Sequence, residues 1–172
     1  MDELKGQPCP ICGKKELTLR EEERDIPYFG LCFLFSMSCG ACDFSKADIE
    51  ASEKKDPVKI TFNIEDVKDL NARVIKSSNA LVKISQLKMS MEPGENSEGF
   101  ISNIEGLLGK FENVLKGQRD STDDPTIRKK AKNLLKKIWK VKCGDVPLKV
   151  VIEDKTGNSA IISDKTKMDK LK

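Results

Sequence analysis

The chain has 172 residues, enough for one ordinary domain or for a small module followed by a medium one. Hydrophobic residues make up 38% and charged residues 34%, which excludes a disordered chain and indicates a soluble globular protein with a net charge of only +3. Histidine is absent, and so are the glycine-rich phosphate loop and the nucleophile elbow. Without the commonest acid–base residue, we expect a protein that is not an enzyme.

The sequence carries no signal for secretion or for a membrane. Residues 1–5 lack the apolar core of a signal peptide, and the most apolar stretch, residues 26–37, is too short to cross a bilayer. We therefore expect a cytoplasmic protein with no membrane partner. In that reducing compartment, six cysteines predict metal binding before disulfide bonds.

Residues 1–50 form a predicted N-terminal module. Residues 17–20 alternate as a half-buried strand, residues 21–25 predict a charged turn, and residues 28–37 predict a longer apolar strand. Two cysteine pairs held by such a β-hairpin are typical of a zinc ribbon. A module of this size buries too little apolar surface to fold alone, and a structural zinc contributes roughly 10–16 kcal/mol near neutral pH.

After a polar linker at residues 51–57, residues 58–162 predict a second, mainly β domain. Short alternating stretches predict strands at residues 58–62, 73–76, 80–84, 87–91, 148–152 and 159–162. Strands at this close spacing are typical of a sandwich or barrel. The fold class is thus mainly β with an α-helical insertion.

The insertion is a predicted helical hairpin over about residues 102–142. Ser102 and Glu105 have the spacing of a capping box at the start of the first helix, and Asp124 followed by Pro125 predicts the start of the second. About eight polar residues are expected between the helices. The Lys-rich tail, residues 163–172, is expected to fray.

Two Cys-x-x-Cys pairs carry the strongest chemical signal. Cys9 and Cys12 are separated by 26 residues from Cys39 and Cys42, so that each pair can wrap one side of a tetrahedral ion. Four thiolates fill the coordination sphere and leave no position for a catalytic water. The sequence therefore predicts one structural Zn²⁺ ion.

The remaining motifs have simpler explanations. Cys32 and Cys143 are each expected to be small buried hydrophobic residues and not metal ligands. Residues 154–159 are interpreted as a hairpin turn in which Gly157 or Asn158 supplies the positive φ, although a binding loop is the alternative.

The second helix is rich in lysine and has no acidic residue between residues 126 and 142. A solvated helix face is the commonest explanation, and the alternative is a binding surface for an acidic protein or for nucleic acid. Residues 1–50 hold six Lys and Arg against ten Asp and Glu, and few aromatic residues are present, which argues against nucleic acid. On the protein-binding interpretation, the candidate contacts are Lys129, Lys136 and Lys140.

These motifs together resemble the ZPR zinc-finger family of eukaryotes and archaea. The matching segments, in family order, are Cys9 to Gly13, Ile26 to Phe29, Ser36 leading to Cys39 and Cys42, Ile101 to Leu108, and Asp154 with Gly157, Asn158 and Ser159. Each segment is short, but together the segments cover nearly the whole chain.

The resemblance implies a four-cysteine zinc finger followed by a double-stranded β-helix domain that carries a helical hairpin. Eukaryotic members look like two tandem copies of this unit, and a single copy is similar to the archaeal form. The resemblance also implies a protein partner, translation elongation factor 1-alpha, whose GDP form the eukaryotic members bind and whose folding they assist. A nucleic-acid-binding zinc ribbon is the alternative.

Two segments depart from the eukaryotic pattern. Gly30 and Leu31 stand where those relatives usually carry an Arg-Glu pair, and residues 43–45 replace a Gly-Tyr-Arg sequence after the last cysteine. These departures bear on the identity of the partner and not on the zinc site.

Overall fold

The computed structural model describes residues 2–26, 30–53, 55–94 and 97–171, which form twelve β-strands and two long α-helices. The strands are β1 Asp2–Gln7, β2 Leu17–Ile26, β3 Gly30–Cys39, β4 Ser45–Ala51, β5 Val58–Ile64, β6 Arg73–Lys76, β7 Leu81–Ile84, β8 Met89–Met91, β9 Phe100–Asn103, β10 Leu148–Asp154, β11 Ala160–Ile162 and β12 Lys167–Lys170. The helices are α1 Ile104–Ser121 and α2 Pro125–Lys142, with short 3-10 helices at Val67–Asn71 and Ser85–Leu87. The predicted fold class, mainly β with an inserted helical hairpin, is confirmed.

The N-terminal module is a four-stranded antiparallel sheet in the order β1-β2-β3-β4. The predicted turn at residues 21–25 is wrong, because these residues continue β2 and pair with β3 from Phe35 to Leu31. Charged side chains are tolerated in the strand since most of them are exposed to solvent while its backbone is paired. Residues 28 and 29 of the predicted second strand lie outside the described residues.

The second domain contains two further sheets. One has the order β12-β5-β10-β7-β8 and the other the order β11-β6-β9, all with antiparallel neighbours. Phe62 and Ile152 from the first sheet share a buried core with Val74 and Ile161 from the second. Apolar residues alternate along the core strands, and for this reason the sequence predicted them. It did not predict β9 and β12.

The two helices pack on this core as a hairpin. In α1 the apolar residues Ile104, Leu107, Leu108, Phe111 and Leu115 are buried, whereas Val114 is 63% exposed. Asn103 and not Ser102 caps the helix, because Ser102 belongs to β9 and the Asn103 side chain accepts a hydrogen bond of 2.8 Å from the Gly106 N–H. Helix α1 continues to Ser121, so that only residues 122–124 join the helices instead of the eight expected.

Helix α2 begins as predicted. The Asp124 side chain accepts a hydrogen bond of 2.7 Å from the Thr126 N–H, and Pro125 occupies the first turn. Ala131, Ile138 and Val141 form its buried side, and the rest of the helix is largely exposed. No helix in the described part of the chain has the length and apolarity to span a membrane.

The C-terminal tail is ordered, which contradicts the expected fraying. Strand β12 pairs with β5, and the Leu171 N–H donates a hydrogen bond of 3.1 Å to the Pro57 carbonyl. All four side chains of β12 are exposed, so the strand has no apolar alternation that a sequence pattern could show. Its backbone pairs with β5, so that β12 and not β5 is the edge strand of the five-stranded sheet.

The N-terminal sheet is packed against the second domain through a small contact region. Ile26, Cys32 and Ile49 form an apolar cluster with Ile75 of β6. Beside it, the Gly99 N–H donates a hydrogen bond of 2.6 Å to the Asp48 side chain. The position of the metal-binding module therefore depends on close backbone approaches as well as on apolar contact.

Gly99 gives a direct test of this close packing. A Cβ atom at Gly99 would lie 2.5 Å from the Ile49 carbonyl oxygen, so Gly99→Ala should lower the free energy of unfolding by about 1–3 kcal/mol through overpacking. Urea unfolding followed by circular dichroism measures the change.

Gly109 in α1 is the matched control, because a Cβ atom added there would have no described neighbour within 4 Å. Gly109→Ala should stabilise the protein by about 1 kcal/mol through its higher helix propensity. Equal unfolding midpoints for Gly99→Ala and the unaltered protein would contradict the close approach.

Candidate metal centre

The two cysteine pairs lie at one end of the N-terminal sheet. The first pair lies between β1 and β2, and the second lies at the end of β3 and in the turn before β4. Leu17 is paired with Cys39 at the start of the β2–β3 ladder, which brings the two turns side by side. The spacing of 26 residues is thus the length of a hairpin that leaves this end of the sheet and returns to it.

Backbone hydrogen bonds shape each turn around its sulfur atoms. The Gly13 N–H donates to the Cys9 carbonyl at 2.9 Å, and Gly13 has a φ of +71°, which favours glycine. The N–H groups of Ile11 and Ala41 each lie 3.4 Å from a cysteine Sγ, that of Cys9 and of Cys39 respectively. These donors stabilise negative charge on the sulfur atoms.

The four sulfur atoms have the separation that a zinc ion requires. The Sγ atoms of Cys9, Cys12, Cys39 and Cys42 all lie within 4.8 Å of one another. Those of Cys9 and Cys42 are 3.8 Å apart, and those of Cys12 and Cys39 are 3.7 Å apart. Tetrahedral coordination with Zn–S bonds of about 2.3 Å places sulfur atoms about 3.8 Å apart.

The cysteine pKa values also favour a cation at this point. Backbone N–H groups of Cys12 and Ile11 help to lower the pKa of Cys9 to about 7. The backbone at Phe44 favours the Cys42 thiolate, but burial and the three other cysteines raise the pKa of Cys42 to about 12. Four thiolates therefore coexist at neutral pH only with a bound cation, and the cluster forms a single zinc-binding site.

The other two cysteines behave differently from each other. Cys32 is fully buried, its thiol donates a hydrogen bond of 3.1 Å to the Arg24 carbonyl, and burial raises its pKa, as expected for a packing residue. Cys143 is exposed, so the expectation that it is buried is wrong. It follows the last buried residue of α2, Val141, and faces solvent at the end of the helix.

The three candidate lysines lie on the outer side of α2. Lys129 and Lys136 are exposed, and Lys140 is half-buried. Nearby lysines are engaged, since Lys142 forms a 3.0 Å ion pair with Glu112 and Lys137 donates to the Gln86 carbonyl. Neither engaged group is one of the three candidates.

Sequence analysis missed an aromatic residue on this helix. Trp139 is 59% exposed and stands one residue before Lys140. Its neighbours in sequence are mostly charged, and an exposed tryptophan on a helix with an apolar stripe is hard to distinguish from a core residue by period alone.

The segment after β10 is a turn, as predicted, but it also holds a buried polar network. Gly157 has a φ of +69°. The Asp154 carboxylate accepts hydrogen bonds from the hydroxyls of Ser77 at 2.7 Å, Ser159 at 2.6 Å and Thr156 at 2.7 Å. Burial alone would raise the pKa of Asp154, but these donors outweigh it and hold the pKa below its ordinary value.

The same turn contacts the chain that connects the two parts of the protein. The Lys55 N–H donates a hydrogen bond of 2.8 Å to the Thr156 carbonyl, and a Cβ at Gly157 would collide with the Asp56 carbonyl. Residues 55 and 56 of the polar segment are thus held against the second domain. A sequence pattern that indicates a turn does not reveal this second contact.

Comparison with known proteins agrees with the fold and the site. A family model for the ZPR1 jelly-roll domain matches residues 68–172. A ZPR1-like protein of Methanocaldococcus jannaschii is 35% identical over 95% of this chain and 83% of its own length, and one of Pyrococcus horikoshii is 37% identical over 99% and 78%. A zinc finger chaperone of Schizosaccharomyces pombe is 33% identical over 89% of this chain but only 33% of its own length.

The fold and the cysteine cluster define a zinc-finger protein with four cysteine ligands and a jelly-roll domain. The chain belongs to the ZPR1 family. The family resemblance inferred from the motifs is thereby confirmed, and so is the predicted zinc.

Metal analysis tests the ligand set. The purified protein should contain one zinc per chain, and Cys9→Ser or Cys42→Ser should lose it and unfold the N-terminal sheet, because zinc binding and folding of this module are one equilibrium. Cys143→Ser and Cys32→Ser are the controls and should keep the metal. Loss of zinc from Cys32→Ser, with retention by Cys39→Ser, would show that the ligand set is wrong.

Proposed function

We propose that this chain is a zinc-stabilised, non-enzymatic factor of the cytoplasm that binds translation elongation factor 1-alpha and assists its folding. The observation that carries the proposal is the closed cluster of four cysteines. Four sulfur ligands leave zinc no open position for a substrate or a water molecule, so the metal has a structural role. A relative named as a zinc finger chaperone supports a protein as the ligand.

The charge distribution supports a partner with mixed surface charge. The N-terminal residues 1–50 hold ten acidic against six basic residues, and zinc with four thiolates adds further negative charge. Helix α2 is basic along its exposed side. Two surfaces of opposite sign on one small protein favour contact with complementary areas of a larger protein.

Lys129, Lys136 and Lys140 are the proposed contacts on α2. They lie outside the buried side of the helix formed by Ala131, Ile138 and Val141, and no described residue forms an ion pair with them. Their charges are therefore available to carboxylates of a partner.

Titration calorimetry with the purified elongation factor 1-alpha of the same cell tests the proposal. The zinc-loaded protein should bind the factor, and more tightly with GDP than with GTP. Changing Lys129, Lys136 and Lys140 together to Glu should weaken binding by about tenfold or more, since reversal replaces attraction with repulsion.

The triple variant should remain folded, which circular dichroism and zinc content check. A matched control reverses Lys116, an exposed residue of α1, to Glu and should bind normally. Absence of heat in both nucleotide states, with folded and zinc-loaded protein, would refute the factor as the partner and leave the family and the metal site unaffected.

Nucleic-acid binding is the second candidate, and the exposed Trp139 among lysines favours it. Basic residues with an aromatic side chain can hold phosphates and stack a base. Because the N-terminal module is acidic, we expect this binding to be weak, without sequence preference and steeply reduced by salt. Fluorescence anisotropy with labelled oligonucleotides at two salt concentrations measures it. A sequence-selective complex at near-physiological salt would favour nucleic acid over the protein partner.

A further inference from the structure

A groove lies between the N-terminal sheet and the second domain. Its volume is about 730 Å³, and its walls come from β3 and β4 on one side and from β8, β9 and α1 on the other. This volume is within the range of sites that bind ligands. Neither the zinc cluster nor the candidate lysines of α2 line it.

The floor of the groove is apolar. Leu34 and Phe35 of β3, Met91 of β8 and Phe100 of β9 line it, and all four side chains are half-buried. They retain exposed apolar surface that a ligand side chain could cover. Covering such surface is favourable by about 25 cal/mol per Å².

The acidic residues of the rim are already engaged. Glu98 forms an ion pair of 3.4 Å with Lys46, and Glu22 accepts a hydrogen bond of 2.7 Å from Arg24. Asp48 accepts the hydrogen bond from the Gly99 N–H. The carboxylates of Glu98 and Glu22 are therefore paired with cations, and that of Asp48 is held by backbone N–H groups.

Two lysines in the groove have an aromatic ring beside them in place of a carboxylate. The Nζ atoms of Lys110 and Lys76 lie 4.5 Å and 5.9 Å from the centre of the Phe100 ring. Within the described residues, no carboxylate lies within 4.0 Å of either ammonium group, and Lys76 donates only to the Ser77 carbonyl at 2.9 Å. Lys76 and Lys110 are thus groove cations that no described carboxylate neutralises at ion-pair distance.

The charge of Lys110 acts on Lys76. Burial lowers the pKa of Lys76 and the charge of Lys110 lowers it further, whereas Asp154 and Asp48 act in the opposite direction. An anion close to Lys110 would reduce the repulsion between the two groups. Lys110 is exposed, so that a ligand can reach it from solvent.

The walls favour an extended peptide over a compact ligand. Strand β4 is at the edge of the four-stranded sheet and β9 at the edge of the three-stranded sheet, and both line the groove. Edge strands carry backbone N–H and C=O groups without sheet partners, to which an extended segment can hydrogen-bond. In β4 the Ile49 N–H already donates to the Asp48 side chain, so the segment would pair with other residues of this edge.

We propose that this groove binds an extended acidic segment of a protein partner, with a carboxylate at Lys110 and an apolar side chain against Phe35 and Phe100. This rests on the proposed function only in that the chain binds proteins. It does not depend on the identity of the partner or on α2.

Fluorescence polarisation with a labelled, capped octapeptide tests the groove. The peptide contains one phenylalanine, with two glutamates before it and two after it. Lys110→Glu should weaken peptide binding by about fivefold or more, because the variant repels the glutamates. Lys116→Glu makes the same charge change on the same helix outside the groove and should leave binding unchanged. A peptide with lysines in place of the glutamates should not bind, and one with serine in place of phenylalanine should bind more weakly.

Amide NMR shifts place the peptide. Shifts should concentrate at Ala47, Gly99 and Phe100, which all line the groove. The triple reversal at Lys129, Lys136 and Lys140 should not alter them. Equal affinity of the Lys110→Glu and Lys116→Glu variants for the peptide would overturn the proposal. Displacement of the peptide by inorganic phosphate as readily as by unlabelled peptide would also overturn it, because it would indicate an anion site alone. If the peptide binds but calorimetry with the elongation factor shows no heat, the groove proposal stands and that partner is rejected. If the factor binds but the peptide does not, the groove proposal is rejected.

Discussion

The zinc–thiolate cluster is the interaction on which the N-terminal half of this protein depends. Its four sulfur atoms lie within 4.8 Å of one another, and as thiolates they repel each other unless a cation neutralises them. The sheet around them has few fully buried apolar side chains, and Leu17 and Ile49 are among them. The metal therefore supplies stability that packing inside this sheet does not, and it holds two turns together at the end from which β2 and β3 extend.

The second constraint is the contact between this sheet and the jelly-roll domain. It combines the Ile49–Ile75 apolar contact, the bond from Gly99 to Asp48 and the backbone contact of Gly157 with residues 55–56. Glycine is required at positions 99 and 157 because neighbouring backbone atoms occupy the space that a side chain would need. The groove lies beside this contact, and β4 and β9 both line it. Zinc thus acts on the groove indirectly, by shaping the sheet that forms one wall.

Sequence prediction succeeded for elements that local chemistry specifies and failed for elements that backbone pairing with a neighbouring strand holds. The Cys-x-x-Cys turns, the start of α2 at Pro125 and the alternating core strands were predicted well, because local chemistry specifies them. The turn at residues 21–25 and the frayed tail were wrong for a shared reason: Glu21 to Asp25 and Lys167–Lys170 form strands whose side chains are mostly exposed, and backbone pairing with a neighbour holds them. Asn103 caps α1 in place of the predicted Ser102, because Ser102 belongs to β9, which extends to the start of the helix.

The sequence by itself determined the metal and its four ligands, since ligand type and spacing carry that information without a fold. Its ordered motifs along the chain also indicated the family, by resemblance. It also determined a mainly β chain with a helical hairpin through the periodicity of its apolar residues. Only the tertiary structure decided that Cys143 is exposed, that Asp154 is bound by three hydroxyls, and that Lys76 and Lys110 share the ring of Phe100. The bond from Ser77 to Asp154 and the approach of Lys76 to Phe100 join residues far apart in the chain. Such contacts arise from packing, which local patterns do not encode.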